Sequence, residues 1–385
     1  MLHESFQRSE ILQPDPKFDS RLASLVIELE KLRSLKLEGT TQAAVFFELK
    51  QMFHFLESIG SARIEGNRTT VAEFLETQLE KRPFVNEDIE EIRNIDRAMT
   101  WIDEHVHDQH VTRAFISELH KQVVNNLTPP PNGEGDPLPG LYRQHSVEIT
   151  GAEHTPPPPY LIHDLMDELL TYIHAENPSQ FDLIKVAVAH HRFMWIHPFG
   201  NGNGRVGRLL TYAMLVRTGF KVHMGQILNP TAVFCINRDA YNHNLAFADK
   251  GTPQSIETWC EYVLEGLDIE IRKIEKLADG DYVYERLLQP ALTYSLHMKY
   301  IDRDEYSILK LAASRENIRT GDAALLLPRL HKGSVSRKLK SLRDKGMLRP
   351  ENEGSNRYRL SFINSFLSRG MIQALETEGY IPIRD

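Results

Sequence analysis

The chain has 385 residues, 41% hydrophobic, 25% charged and 9% aromatic, an ordinary globular usage that excludes a disordered or collagen-like chain and allows two or three domains. Its 45 basic and 53 acidic residues give a net charge of −8, so the chain as a whole is no polycation. Two cysteines, Cys235 and Cys260, cannot build a disulfide scaffold, the start MLHESFQRSE lacks a secretion-signal layout, and no apolar stretch nears the roughly 18–20 residues of a membrane helix, so a cytoplasmic protein without membrane contact is expected.

In chain order, Leu22, Leu25, Leu29, Leu32 and Leu35 recur at spacings of three and four and predict a helix stopped by Gly39. A second helix is predicted through VFFELKQMFHFLESIG, ending near Gly60, and others through NEDIEEIRNIDRAMTWIDEHV and VTRAFISELHKQVV. Residues 140–154, GLYRQHSVEITGAEH, alternate briefly (Val147, Ile149) between the prolines 129–131 and 156–159 and predict one β-hairpin on a helical body. FDLIKVAVAHHRFMWI is apolar nearly all round, so it reads as a buried helix, with His190 and His191 as core residues and Trp195 and Phe199 as wedges for the following loop. Pro198 disfavours helix at the residue before it, which forces a break at His197. The next helix, RVGRLLTYAMLVRTGF, begins after Gly204.

Between the two helices lies HPFGNGNGRVGR. Gly200, Gly202 and Gly204 free the backbone so that successive N–H groups converge into an anion nest, which feeds a helix N-terminus that favours phosphate. Arg205 and Arg208 share one face of the first turn and can fork onto phosphate oxygens. His197 stands at the other lip and can serve as a base. A base beside a phosphate cradle suits transfer from a nucleotide to an acceptor hydroxyl. GNGRVG also matches the dinucleotide fingerprint in form, but a helix precedes it and no acid occurs between Arg208 and Asp239. A Walker loop fails for want of Lys-Ser/Thr.

The stretch resembles the signature of the Fic family, H-x-F-x-(D/E)-G-N-(G/K)-R-x-x-R, through His197, Phe199, Gly202, Asn203, Gly204, Arg205 and Arg208, with Asn201 in place of the acid. The resemblance implies a mainly α fold, a Fic-type helical bundle with a β-hairpin flap, that binds ATP and moves AMP onto a Ser, Thr or Tyr of a target protein or of itself. It implies that His197 deprotonates the hydroxyl, that Asn203 and the loop amides, Gly207 among them, hold the α-phosphate, and that Arg205 and Arg208 bind the outer phosphates. GLYRQHSVEITGAEHTPPPP resembles the family flap, which places Ile149 and Thr150 beside the nucleotide and clamps the target as an added strand. SARIEGNRTT resembles the inhibitory motif (S/T)-x-x-x-E-(G/N) through Ser61, Glu65 and Gly66, in the class with an N-terminal inhibitory helix. There Glu65 would pair with Arg208 and fill the terminal-phosphate site; in some members the same glutamate positions water for removal of AMP.

Two departures bear on specificity. Asn201 replaces a Mg²⁺ ligand, and a neutral amide holds Mg²⁺ or Mn²⁺ less well than a carboxylate, so a weakened metal site and weak activity are expected. AYNHNLAFADKGT resembles the adenine and ribose stretch through Tyr241, Leu245, Ala248 and Gly251, but Asn242 and Asp249 depart from it; drift at a tolerant rim and a choice of another nucleotide both remain open.

Residues 302–360 order as helix, helix, helix and hairpin, which resembles a winged helix-turn-helix. From Arg329 to Leu360 ten Lys/Arg face three acids, net +7, leaving −15 for the rest. Ser334, Ser336, Arg337, Lys340 and Arg343 would face a duplex, with Arg357 and Arg359 on the wing; a basic module for protein contact or homodimerisation is the other reading. The expected domains are residues 1–100, with the inhibitory motif, 101–285, the catalytic core, and 300–365, the winged helix. The competing function is a DNA-binding regulator whose core senses nucleotide but is impaired by Asn201.

Overall fold

The computed structural model describes residues 10–34, 39–79, 86–218, 232–235, 237–352, 354–363 and 365–381. The predicted helix residue Leu35 and the Gly219–Phe220 end of another predicted helix lie outside them. The predicted helices form as α1 (Arg21–Ser34), α2 (Ala43–Ile64), α4 (Glu87–His105) and α5 (Arg113–Val123), with α3 (Val71–Leu79) between them. After a long irregular stretch come α6 (Ile162–His174), α7 (Asp182–Ile196), α8 (Asn203–Arg217), α9 (Ala232–Cys235), α10 (Arg238–Ala248) and α11 (Pro253–Leu277). Their starts are set by side chains that take up orphan amides: Asn86 accepts from Ile89 N, Thr112 from Phe115 N, and Thr252 forms a capping box with Ser255. Among the described residues no helix is long and apolar enough to cross a membrane.

Helix α2 overruns its predicted end. Gly60 is a buried helical residue, and the chain leaves the helix only after Ile64, where Glu65 caps it and Gly66 takes a φ of 111° that suits glycine. The apolar faces of α2, α4, α5, α7 and α8 close on one another, and a polar knot joins three of them. Asp103 of α4 pairs with Lys50 of α2 and accepts from the Tyr212 hydroxyl of α8 at 2.7 Å, with His54 Nε2 3.5 Å away. Each member has a partner, as burial demands.

The β-hairpin predicted over 140–154 does not form; the segment is irregular. Ala152 N donates to Ile149 O in a tight turn, so the returning arm has four residues before Pro156. The prolines at 156–159 offer no N–H to a ladder. The alternation of Val147 and Ile149 reflects half-burial without a strand partner.

The remainder runs through the short α12 (Gly280–Tyr282), a π-helical turn at Val283–Leu288 and α13 (Gln289–His297) into α14 (Arg303–Ala313), β1 (Ile318–Arg319), α15 (Thr320–Leu326), α16 (Lys332–Asp344), β2 (Leu348–Pro350) and β3 (Arg357–Leu360). The three strands order β1-β3-β2, all antiparallel, with Ile318 opposite Tyr358 and Leu348 opposite Leu360. A last helix, α17 (Leu367–Thr377), packs on α13. The corner between β3 and α17 is fastened to the bundle: Ser361 Oγ and the amides of Phe362 and Ile363 all donate to the Glu48 carboxylate of α2, at 2.8–2.9 Å.

Four histidines are held neutral chiefly by burial, His54, His120 and His197 pushed down to about 4 and His190 to about 3. Their folded values lie below the unfolded value of about 6.5, so the unfolded chain binds protons that the folded chain refuses. Stability present above about pH 6.5 is therefore lost as pH falls toward 4. Thermal melts between about pH 7.5 and 5 should show a steadily falling Tm; a level Tm would contradict the burial of these rings.

Candidate active site

The loop between α7 and α8 is fixed before any ligand is considered. His197 ends α7 in the left-handed region, φ 51° and ψ 62°, and Gly202 opens α8 at φ 75°. Asn203 closes the loop on itself, its Oδ1 accepting from Phe199 N and its Nδ2 donating to Phe199 O, both at 2.9 Å. The buried Phe199 ring stacks on His120 of α5 at 3.8 Å and 4°. His120 Nδ1 accepts from Gly140 N, so its Nε2 carries the proton and donates to Asn201 O at 3.1 Å. Asp136 accepts from Asn201 N at 2.8 Å. The Asn203 side chain is thus spent on the loop, and what it can offer a phosphate is its backbone N–H.

Arg205 and Arg208 are both fully buried, at 0% and 1% exposure. Arg205 is enclosed by acids: Glu91 Oε1 lies 2.9 Å from one nitrogen, and Glu134 takes the other through its backbone O at 2.7 Å and its carboxylate at 3.4 Å. Arg208 meets the end of α2, donating to Ser61 Oγ at 2.8 Å, Ser61 O at 3.0 Å and Glu65 Oε1 at 2.6 Å. The same Glu65 oxygen lies so close to Gly204 that a Cβ there would stand 2.2 Å from it. A carboxylate therefore sits on the opening turn of α8, where unpaired amides and the helix dipole favour an anion. Burial works against its charge, but Arg208 and then Arg205 outweigh that and hold Glu65 below the usual carboxylate range. Glu91 moves the other way, raised by burial despite Arg205.

His197 is half-buried beside this pair. Its Nδ1 faces Met194 O at 3.3 Å; a carbonyl can only accept, so Nδ1 carries the proton and Nε2 keeps its lone pair. Burial lowers the ring to about 4, reinforced by Arg143 and His154 and opposed by the Met194 carbonyl and Glu65. The ring is a neutral base at physiological pH.

The other predicted residues are placed as follows. Gly207 lies where α8 crosses α7, and a Cβ would stand 2.9 Å from Met194 Sδ. The Tyr241 hydroxyl is spent in the core: His190 Nδ1 donates to Thr211 Oγ1, which itself donates to Gly207 O, so His190 Nε2 accepts from Tyr241 at 3.0 Å. Asp249 accepts from His191 Nε2 at 2.9 Å, and Asn242 is exposed. Ile149 and Thr150 lie at the turn of the irregular segment, half-buried and exposed. Asn201 Oδ1 accepts from Gly202 N, and its Nδ2 faces Gly135 O and the Glu134 carboxylate. With that oxygen engaged, Asn201 offers a Mg²⁺ or Mn²⁺ ion the one remaining lone pair of a neutral amide, with the Glu134 carboxylate beside it. Ser336, Arg337, Lys340, Arg343 and Arg357 are exposed, far along the chain from this loop.

His120, Glu134, Asp136 and Arg143 belong to the site and were not singled out from the sequence. The NGEGDP turn carried a signal, two acids in a tight polar run, that could have marked Glu134 and Asp136. Arg143 lay inside the segment read as a hairpin.

Residues 110–215 match the family model described as the Fic/DOC family, so the chain carries a Fic/DOC family domain. Curated relatives include the protein adenylyltransferase Fic of Drosophila willistoni, 31% identical over 244 residues, covering 60% of this chain and 46% of the relative. That of Drosophila virilis is 29% identical over 244 residues, covering 60% and 47%. The chain spans about half the length of these relatives. A Fic family protein from Desulfovibrio desulfuricans G20 superposes with a TM-score of 0.56 at 20% identity, covering 91% of this chain and 98% of the other. A Fic domain containing signaling protein from Bacteroides thetaiotaomicron gives 0.50 at 22%, covering 67% and 98%. At these identities the structures establish a shared, mainly helical fold.

His120→Ala removes one stacked ring and two hydrogen bonds at the loop, each worth about 1 kcal/mol, and should lower the unfolding free energy by about 2–4 kcal/mol in urea titration. An unchanged midpoint would show that the loop is held elsewhere.

Proposed function

We propose that this chain is a protein adenylyltransferase that moves AMP from ATP to a Ser, Thr or Tyr hydroxyl and is held off by its own Glu65. The observation that carries this reading is the Glu65 carboxylate resting against Gly204 and on Arg208, an internal anion in the place a phosphate would take, beside a neutral imidazole with a free Nε2. The curated relatives named as adenylyltransferases support it.

In the reaction, the triphosphate displaces Glu65 and takes Arg208. His197 Nε2 accepts the proton of the incoming hydroxyl as its oxygen attacks the α-phosphorus. A new O–P bond forms, the bond from the α-phosphorus to the bridging oxygen breaks, and pyrophosphate leaves with the electron pair. The proton passes from His197 to solvent. Arg208 and the opening amides of α8 meet the charge as it develops, in a site already organised for it. Arg205, pinned by Glu91 and Glu134, contributes its field and the rigidity of the cradle.

A second reading concerns residues 302–360, which we take as a winged helix-turn-helix with α16 as the face toward a DNA duplex. The exposure of Ser336, Arg337, Lys340 and Arg343 on α16 and of Arg357 on β3 supports it. The usable charge is smaller than the sequence count, because Arg329 pairs with Asp304, Lys338 with Asp302 and Lys345 with Glu305.

Glu65→Gly should raise self-labelling or target labelling from α-labelled ATP by about tenfold or more, with none from γ-labelled ATP, and a further His197→Ala should abolish it while nucleotide binding persists. Unchanged labelling would overturn the inhibitory role, and γ-label incorporation the reaction assigned. If α16 reads DNA, Arg337→Ala and Lys340→Ala should each lower the salt slope of binding by about 1; binding indifferent to salt would exclude it.

A further inference from the structure

The end of α7 is completed by residues from the irregular segment. The last carbonyls of a helix have no partner within it, and here each finds one. His154 Nε2 donates to Trp195 O at 2.8 Å, and Arg143 Nη2 reaches Ile196 O at 3.4 Å. Arg143 Nε donates to His197 O at 2.8 Å, and Arg143 N to Pro198 O at 2.9 Å. The rest of the same guanidinium spans the segment, Nη1 to His145 O at 2.9 Å and Nη2 to Pro157 O at 2.6 Å. One buried side chain, 3% exposed, therefore holds four carbonyls from two parts of the chain.

We propose that Arg143 is a positioning residue for AMP transfer, which fixes the backbone of His197 and so aims its imidazole, and which orders residues 144–157 in the same act. The inference rests on the adenylyltransferase reading. His197 is a non-glycine residue at φ 51°; such a conformation is strained and persists only where its surroundings over-determine it. The planar fork of arginine suits carbonyls lying in different directions, and a lysine ammonium cannot reproduce it. A cation at a helix C-terminus is favoured by the dipole. Arg143 touches neither phosphate nor hydroxyl in this scheme; it acts through His197.

The test is made on the full chain carrying Glu65→Gly, comparing Arg143, Arg143→Lys and Arg143→Ala. Arg143→Ala should lower kcat by about 100-fold, as misplacement by an ångström does, with ATP affinity changed by less than about three-fold. Arg143→Lys should fall between, and millimolar guanidinium should partly restore kcat in the alanine variant. Nitrogen NMR of the His197 ring, which needs no turnover, should show loss of the single Nδ1–H tautomer in Arg143→Ala. A kcat within about three-fold of the parent, or an unaltered His197 tautomer, overturns the proposal. Should the Glu65→Gly parent bind ATP yet transfer nothing, the adenylyltransferase reading falls, and the tautomer comparison alone decides the role of Arg143. Should Arg143→Ala not fold, Arg143→Lys carries the same comparison.

Discussion

Everything in the site turns on one electrostatic arrangement: a helix whose first turn presents open amides and two buried guanidinium groups, and a carboxylate brought to it from another helix. Neither half is stable alone in a low-dielectric interior. An unpaired Arg208 would carry a large desolvation cost, and Glu65, half-buried beside it, would lose the cation that chiefly offsets its burial. Together they settle each other, Glu65 staying ionised because Arg208 and Arg205 outweigh its burial. The fold brings them together by packing α2 across α4 and α8, and the knot of Lys50, His54, Asp103 and Tyr212 keeps those three helices in register.

The loop that carries His197 owes its shape to groups outside it. Phe199 and Asn203 close it from within, while His120, Asp136 and Arg143 hold it from without. A glycine-rich loop has more backbone freedom to lose than most. These contacts restrict that freedom during folding, so the shape of the loop is largely set by the fold itself.

Much of this was legible in the sequence because it is local. The break at His197 follows from Pro198, the nest from alternating glycines, and the common face of Arg205 and Arg208 from helical spacing. The seat of Glu65 was legible only through its motif, since nothing local tells where a helix end will dock. The hairpin failed because alternation reports burial on one face and is silent on a hydrogen-bonded partner; the prolines that removed it were in plain view. What a count of charges along the chain leaves out is pairing: Asp302, Asp304 and Glu305 fold back onto Lys338, Arg329 and Lys345, so part of the positive charge of the C-terminal unit is met within it. Asn203, assigned to phosphate by resemblance, spends its side chain on Phe199, which sequence spacing cannot reveal.

Helix α2 has a consequence beyond its Glu65 end. It is one uninterrupted rod from Ala43 to Ile64, and the carboxylates of Glu48 and Glu65 stand near its two ends, about 25 Å apart at 1.5 Å per residue. Glu48 is gripped by the Ser361–Ile363 corner, and Glu65 by Arg208. A helix is stiff along its axis, and Lys50 and His54 tie the same rod to Asp103 between those ends, so whatever frees one end acts on a rod held at several points along its length.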